Sequence, residues 1–259
     1  MRFMTGALLA LACVRPALAQ KTADQARLML TVGAGFVGGG KLWTVRQQPI
    51  LDEVSGISDT FALSKDARQG IGVVFSGTYY PGAHLGFIGE AVFLGLGPVD
   101  ACRGTIVSGS LRNTSVCSSL NGHTHSPTTV ALSGGVAYRL ATGKTIEPYV
   151  TLQGGLAITQ VSYIRTIGNT DQNADYIIYS DETPRSTTLY GSFGGGIAGF
   201  VGKAYRFRME ARDHYLGITR VVGPGVVGGR PPSRVEGKHV FSLMFGFDVV
   251  LERRRGRRY

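Results

Sequence analysis

Beyond residue 19, no stretch of this chain reaches eighteen apolar residues in a row. A membrane-spanning helix needs about that many. The lack argues against a helical membrane protein and leaves an exported soluble protein or one that crosses with strands. Cysteine is scarce: Cys13 lies in the apolar N-terminal segment, so Cys102 and Cys117 remain as a single pair. Their spacing matches no zinc ribbon or finger. Acidic residues are few, 17 against 27 Lys plus Arg. Glycine is abundant at 38 residues but has no collagen-like period. None of the glycine runs sits in the strand–turn–helix context of a phosphate-binding or dinucleotide-binding loop. Nor does any of the five histidines have a serine two positions later, the spacing that would put both on one face of a strand.

Some features are present in quantity. Arg2, the apolar residues 3–14 and the small-x-small ending Ala17-Leu18-Ala19 read as a secretory signal over residues 1–19, with the mature chain starting at Gln20. Without Arg2 and Arg15 the basic count is 25 against 17, a net charge of +8. Much of the excess lies in a tail, Arg253-Arg254-Arg255-Gly256-Arg257-Arg258. A basic tail suggests nucleic acid. Export and the missing aromatic–basic platform argue instead for a solvated terminus.

Between these ends lie eight segments of about ten residues with apolar residues at every second position. The connections alternate long and short. Short ones contain Tyr80-Pro81-Gly82-Ala83, Ala141-Thr142-Gly143-Lys144 and Gly202-Lys203-Ala204, and long ones fall near 39–66, 97–127, 160–186 and 216–237. A membrane barrel sorts its loops in this way, with tight turns on the periplasmic side and longer loops outside. The expected fold is all-β: an eight-stranded antiparallel up-and-down transmembrane β-barrel over residues 20–251, after the signal and before a basic tail at 252–259. Alternation alone also fits a soluble sandwich, and the loop pattern is what favours the membrane. Glycines inside the segments suit a narrow, curved interior.

The alternation also assigns an interior. Arg68, Arg139, Arg206, Arg208 and Arg212 fall on inward positions with Glu90, Glu147, Glu210 and Asp248. Charge in a narrow lumen must be paired. The expectation is a structural ion-pair plug, and the alternative is a gated pore or lumenal site. Cys102 and Cys117 share one long loop and, in an oxidising compartment, are expected to form a disulfide. A zinc site from the two thiolates with His123 and His125 is the weaker alternative. Asn113-Thr114-Ser115 is formally a glycosylation sequon.

The signal ending, the Glu147-Pro148-Tyr149-Val150 strand start, the run Phe193-Gly194-Gly195-Gly196 and the sequence YRFRMEAR at 205–212 together resemble the small outer-membrane β-barrel proteins of Gram-negative bacteria, the superfamily of opacity-type and outer-membrane protein A-type barrels. Members usually end on an aromatic that closes the last strand. Here the strand is expected to run out at Leu251, with the basic tail after it. The resemblance implies a monomer in the cell outer membrane with a structural or surface-interaction role. Its partners would be outer-membrane lipid and the barrel-assembly machinery, with no nucleic acid, metal or cofactor. The chain is expected not to be an enzyme; a lipid-modifying barrel enzyme or a narrow pore is the alternative.

Overall fold

The computed structural model describes residues 25–52, 54–120, 128–143, 145–159, 164–169, 175–181, 186–201, 204–225 and 232–254. In chain order the elements are β1 (Gln25–Val37), β2 (Gly40–Leu51), β3 (Ser58–Ala67), β4 (Gly70–Tyr79), β5 (Leu85–Gly95), β6 (Pro98–Thr105), α1 (Leu111–Leu120), β7 (Thr128–Arg139), β8 (Ile146–Thr159), β9 (Ile164–Asn169), β10 (Asp175–Asp181), β11 (Ser186–Phe200), β12 (Tyr205–Val221) and β13 (Ser233–Arg254). The eight expected segments are β1, β4, β5, β7, β8, β11, β12 and β13. They pair in that order, each antiparallel to the next, and β13 pairs with β1 to close a barrel. Closure leaves no free sheet edge.

Side chains sort by parity. On β13, Phe241, Leu243, Phe245, Phe247, Val249 and Leu251 are on the outside, while Ser242, Met244 and Asp248 are buried inside. From Phe241 to Leu251 is ten steps, about 33 Å along the strand. A tilt of about 40° reduces this to about 25 Å along the barrel axis, the height of the apolar band on a membrane barrel. Exposed Tyr79, Tyr138 and Tyr205 line the end of the band nearest the short connections. Aromatic rings of this kind sit at the headgroup level.

The short connections are tied to the barrel strands. The Arg139 backbone N–H donates to the His84 carbonyl at 2.9 Å, and the Val201 N–H donates to the Tyr205 carbonyl at 2.9 Å. Gly143 turns the chain with φ of 72°, a conformation that L side chains avoid. At the opposite end, three of the regions expected to be loops contain strands of their own. β2, β3 and β6 form a three-stranded sheet outside the barrel, and β9 pairs with β10. β12 and β13 stay paired as far as Val221 and Ser233, well beyond the apolar band.

The external sheet has its own core of Trp43, Val45, Ile50, Phe61, Leu63 and Val116, completed by Val221 from the β12 extension. The disulfide Cys102–Cys117 joins β6 to α1, with Cα atoms 5.1 Å apart. Gln48 exchanges two hydrogen bonds with the Gly225 backbone, at 2.8 and 2.9 Å, which fastens β2 to the chain after β12. Buried Asp59 accepts hydrogen bonds from the Val107 and Ser108 backbone N–H groups, the Ser108 hydroxyl and the Asn113 amide. The buried Asn113 side chain is thus a structural donor, and the formal sequon has no accessible acceptor.

Two expectations are corrected here. β13 does not run out at Leu251 but continues to Arg254, with Arg253 opposite Ala26 and Arg254 opposite Gln25. The first residues assigned to the tail therefore close the barrel. The long connections near 39–66 and 97–127 contain β2, β3, β6 and α1 rather than irregular loop.

Candidate functional site: the lumen

β12 sets the geometry of the lumen. It alternates Arg206, Arg208, Glu210, Arg212 and His214 inward, and all five are buried. Its neighbours are β11, whose inward glycines leave room, and β13. A Cβ on Gly194 would lie 2.7 Å from Glu210 Oε1 and 3.0 Å from Thr151 Oγ1. One on Gly196 would lie 2.7 Å from the Tyr149 hydroxyl. The glycine-rich strand is thus the space into which the long β12 side chains fold.

The charges form two linked groups, one around Glu147 and one around Glu210. Arg206 Nη2 donates to Glu147 Oε2 at 2.7 Å, and Arg139 Nε lies 3.9 Å from the same oxygen. Arg139 also donates to the Ala26 carbonyl at 2.9 Å, and its guanidinium lies 3.5 Å over the Tyr80 ring. Arg208 donates to the Tyr149 hydroxyl at 3.0 Å and to Thr31 Oγ1 at 3.1 Å. It also lies 3.6 Å from Asp248 and 3.8 Å from Glu210. Glu210 accepts from Tyr149 and Thr151, both at 2.9 Å, and from Arg212 at 3.0 Å. Arg212 reaches on to Glu90, which also accepts from Gln153 at 3.5 Å.

One sequence-assigned residue does not belong. Arg68 is exposed in the connection between β3 and β4, where its backbone N–H donates to the Gly97 carbonyl at 2.7 Å. β4 begins at Gly70, two residues after Arg68, so the strand's alternation does not extend to it. Without Arg68, the lumenal set is four arginines, 139, 206, 208 and 212, against four carboxylates, 90, 147, 210 and 248. The formal charge of this set is zero, which suits a low-dielectric interior.

Two apolar layers, invisible to a polar-inside reading, enclose the charges. Toward the long connections, Val37, Val74, Val92, Leu94, Leu96, Ala131, Ala157, Tyr190, Leu216, Val240 and Met244 pack as one buried cluster. Toward the short connections, Ala26, Met29, Tyr80 and Ala137 form another.

Sequence reasoning also missed a serine–histidine pair. His214 Nε2 lies 2.8 Å from Ser242 Oγ, and its Nδ1 lies 2.8 Å from the Tyr190 hydroxyl. The two residues are 28 apart on neighbouring strands, so no local motif announces them; only the inward parity of both strands could have. The distances suit a nucleophile and base. His214 and Ser242 are nevertheless buried between the charged set and the apolar cluster. His123 and His125 lie outside the described residues. Cys102 and Cys117, the thiols of the zinc alternative, are bonded to each other.

No protein-family model matches the chain, and no curated protein sequence matches it. Solved structures do. Neisserial surface protein A is 11% identical with a TM-score of 0.46, over 88% of this chain and 99% of that one. The outer membrane protein AlkL, determined in lipid bilayers, is 12% identical with a TM-score of 0.43, over 92% and 96%. The outer membrane protein OprG from Pseudomonas aeruginosa is 14% identical with a TM-score of 0.42, over 88% and 99%. These are likenesses of strand arrangement and carry over no residue or activity.

Proposed function

We propose that this protein is a monomeric outer-membrane barrel with a closed lumen, whose role is to hold a folded sheet-and-helix unit at the cell surface for structural or adhesive contact. The observation that carries the reading is the filled interior: a charge-neutral network between two apolar layers. A lumen occupied by its own buried side chains supports a closed interior over a substrate site or a pore, and with it a functional surface outside the barrel. The apolar band about 25 Å tall, with tyrosines at one end, supports the membrane placement. Lipid surrounds the band, and the barrel-assembly machinery inserts it. Antiparallel closure without a free edge supports the monomer.

The runner-up is a lipid-modifying enzyme, favoured by the Ser242–His214 contact alone. Both side chains face the closed interior rather than the lipid, so the structural role is preferred.

Val54, at the tip between β2 and β3, is 97% exposed. A Val54→Cys variant should react with a membrane-impermeant maleimide on intact cells, and the protein should fractionate with outer membranes. Labelling only after lysis would overturn the orientation. Recovery as a soluble periplasmic protein would overturn the membrane reading. A change in lipid A mass that depends on Ser242 would overturn the non-enzymatic part.

A further inference from the structure

The outer face of the barrel carries a polar cluster that neither the lumen nor the external sheet uses. Asp213 and Tyr215 on β12 and His239 on β13 all fall on outward positions. His239 Nδ1 lies 2.8 Å from Asp213 Oδ2, and the two side chains are 62% and 29% exposed. The Tyr215 ring stands edge-on to the imidazole, with centroids 5.3 Å apart. Tyr215 follows Tyr205 on the same strand by ten steps, about 25 Å along the barrel axis. It therefore stands at the opposite headgroup layer, on the side of the long connections. Asp213 pairs with Phe241, at the edge of the apolar band, and with Phe193 on its other side. Its Oδ1 is buried, with no donor among the described residues. An ionisable residue at lipid depth is costly and marks a functional site.

A groove leads to this cluster. Gly77 pairs with Gly89, Gly89 with Gly134, Gly134 with Gly154 and Gly154 with Gly191. One outward glycine from each of β4, β5, β7, β8 and β11 thus stands in a single row. Gly191 pairs in turn with Tyr215, and Tyr215 with His239. Internal packing does not require these glycines. A Cβ on Gly89 or Gly154 would meet nothing within 4 Å, whereas one on inward Gly135 or Gly155 would lie 2.0 Å from a backbone oxygen. Glycine weakens a strand, and its presence there signals the close approach of a ligand or another backbone. Exposed Leu132, Leu156 and Leu189 form one wall of the groove, and Val136, Leu152 and Phe193 the other. Leu30 closes the short-connection end, its Cδ2 3.7 Å from the Cβ position of Gly77. The floor runs for four inter-strand spacings, about 19 Å. One leaflet of hydrocarbon is about 15 Å deep. The row crosses five neighbouring strands of the closed barrel. A flexible chain can follow that curve, and a second rigid barrel cannot.

Resting on the outer-membrane reading above, we propose that the groove and the cluster together hold one lipid with a hydroxyl-bearing sugar head group. Its acyl chain lies along the glycine floor, and its hydroxyls meet His239 and Tyr215. An ionised carboxylate only accepts hydrogen bonds, so Asp213 holds the His239 proton on Nδ1 and leaves Nε2 of the neutral, exposed ring as an acceptor. The Tyr215 hydroxyl both donates and accepts. Sugar hydroxyls match this pair, and a choline head group has no donor to offer. Asp213 is a positioning residue that acts through His239.

The test uses the full chain inserted into vesicles of equal phosphatidylcholine and monoglucosyl diacylglycerol with the same acyl chains. Neither lipid carries a net charge, so the protein's own charge does not bias the result. After extraction in mild detergent, native mass spectrometry identifies the retained lipid. The glucolipid should be retained over phosphatidylcholine by about tenfold, the value of one good hydrogen bond. His239→Leu with Tyr215→Phe should bring the preference to parity, and Asp213→Leu should reduce it. These changes put apolar groups on lipid-facing positions and should leave the heat-modifiable gel mobility intact. Gly89→Leu, Gly134→Leu and Gly154→Leu together fill the floor and should lower retention of both lipids. Gly154→Leu alone, at a position with open space around it, should lower it in part. Equal retention by the wild type, or a preference for phosphatidylcholine, overturns the proposal alone. So does a preference indifferent to the three polar residues, or a retention indifferent to the filled floor. Crosslinked dimers that disappear when the floor is filled would assign the groove to a second copy and also overturn it. Failure to insert into the vesicles overturns the membrane reading, and the proposal with it.

Discussion

At the scale of single residues, inward parity was legible and partnership was not. Arg206, Arg208, Glu210 and Arg212 alternate within one strand, so their common face follows from period two. Which carboxylate each arginine meets depends on the stagger of eight tilted strands, and that is not written locally. Arg212 reaches Glu90 across 122 positions of sequence. Glu210 is the centre of the set, receiving two hydroxyls and facing two guanidinium groups. Glu210→Gln keeps the volume but leaves Arg208 and Arg212 under-compensated in a buried site. Removing one partner of a buried pair costs about 3–5 kcal/mol. The control is Glu252→Gln, which removes the partner of Arg27 at an exposed, solvent-screened pair and should leave the unfolding midpoint nearly unchanged. Guanidinium unfolding of both variants in detergent should separate them. Equal midpoints would mean that the lumenal charges contribute no net stability.

At the scale of elements, the eight barrel strands were legible because most alternate apolar and polar residues over about ten positions, and β5, apolar on both faces, is still bounded by turns and marked by inward Glu90. β2 was not, because its alternation slips. The pairing of β2 with β3 shifts register between Lys41 and Trp43 and again between Val45 and Gln48. Arg46 and Gln47 are consecutive exposed residues, and Gln48 is buried where an apolar residue would be read. β6 opens on Pro98 and carries few β-formers. The disulfide pairing was legible from cysteine count, but the sheet it fastens was not. Reduction, or Cys102→Ser with Cys117→Ser, should cost this external unit about 3 kcal/mol for a loop of this size. The barrel should keep its heat-modifiable gel mobility while protease cuts appear in the 98–120 region. Asp59 adds a pH dependence. Burial alone would raise its carboxyl, but hydrogen bonds from the Ser108 hydroxyl, the Asn113 amide and the Ser108 and Val107 N–H groups outweigh this and hold it well below its ordinary 3.8. A group depressed on folding contributes its stability in full above the unfolded value and loses it as pH falls toward the folded one. Protease resistance should therefore be flat from neutral pH to about 5 and decline only below the ordinary carboxylate range. In Asp59→Asn the decline should be weaker and resistance at neutral pH lower. A wild-type transition near pH 5 to 6 would point to a different group.

For the whole molecule, the loop-length alternation carried the architecture, because only a closed barrel across a membrane has reason to sort its connections to two ends. The closure of the lumen was half legible. Charged inward residues suggested a plug, but the apolar layers did not stand out, since Val74, Val92 and Leu94 share their strands with outward apolar residues. The layers matter for conduction because they lie in series with the charges. A hydrophobic constriction excludes ions by staying dry even where polar groups lie beyond it. Wild-type protein in a planar bilayer should show no steady conductance. Neutralising the Arg212–Glu90 link with Arg212→Gln and Glu90→Gln should leave it closed, because Leu94, Leu216 and Met244 still fill the section above. Conductance should appear only when Leu94→Ser and Leu216→Ser are added to the neutral pair, wetting both sections at once. Steady conductance from the neutral pair alone would mean that the ion pairs are the sole gate and that the apolar layer leaks. Steady conductance from the wild type would restore the pore reading.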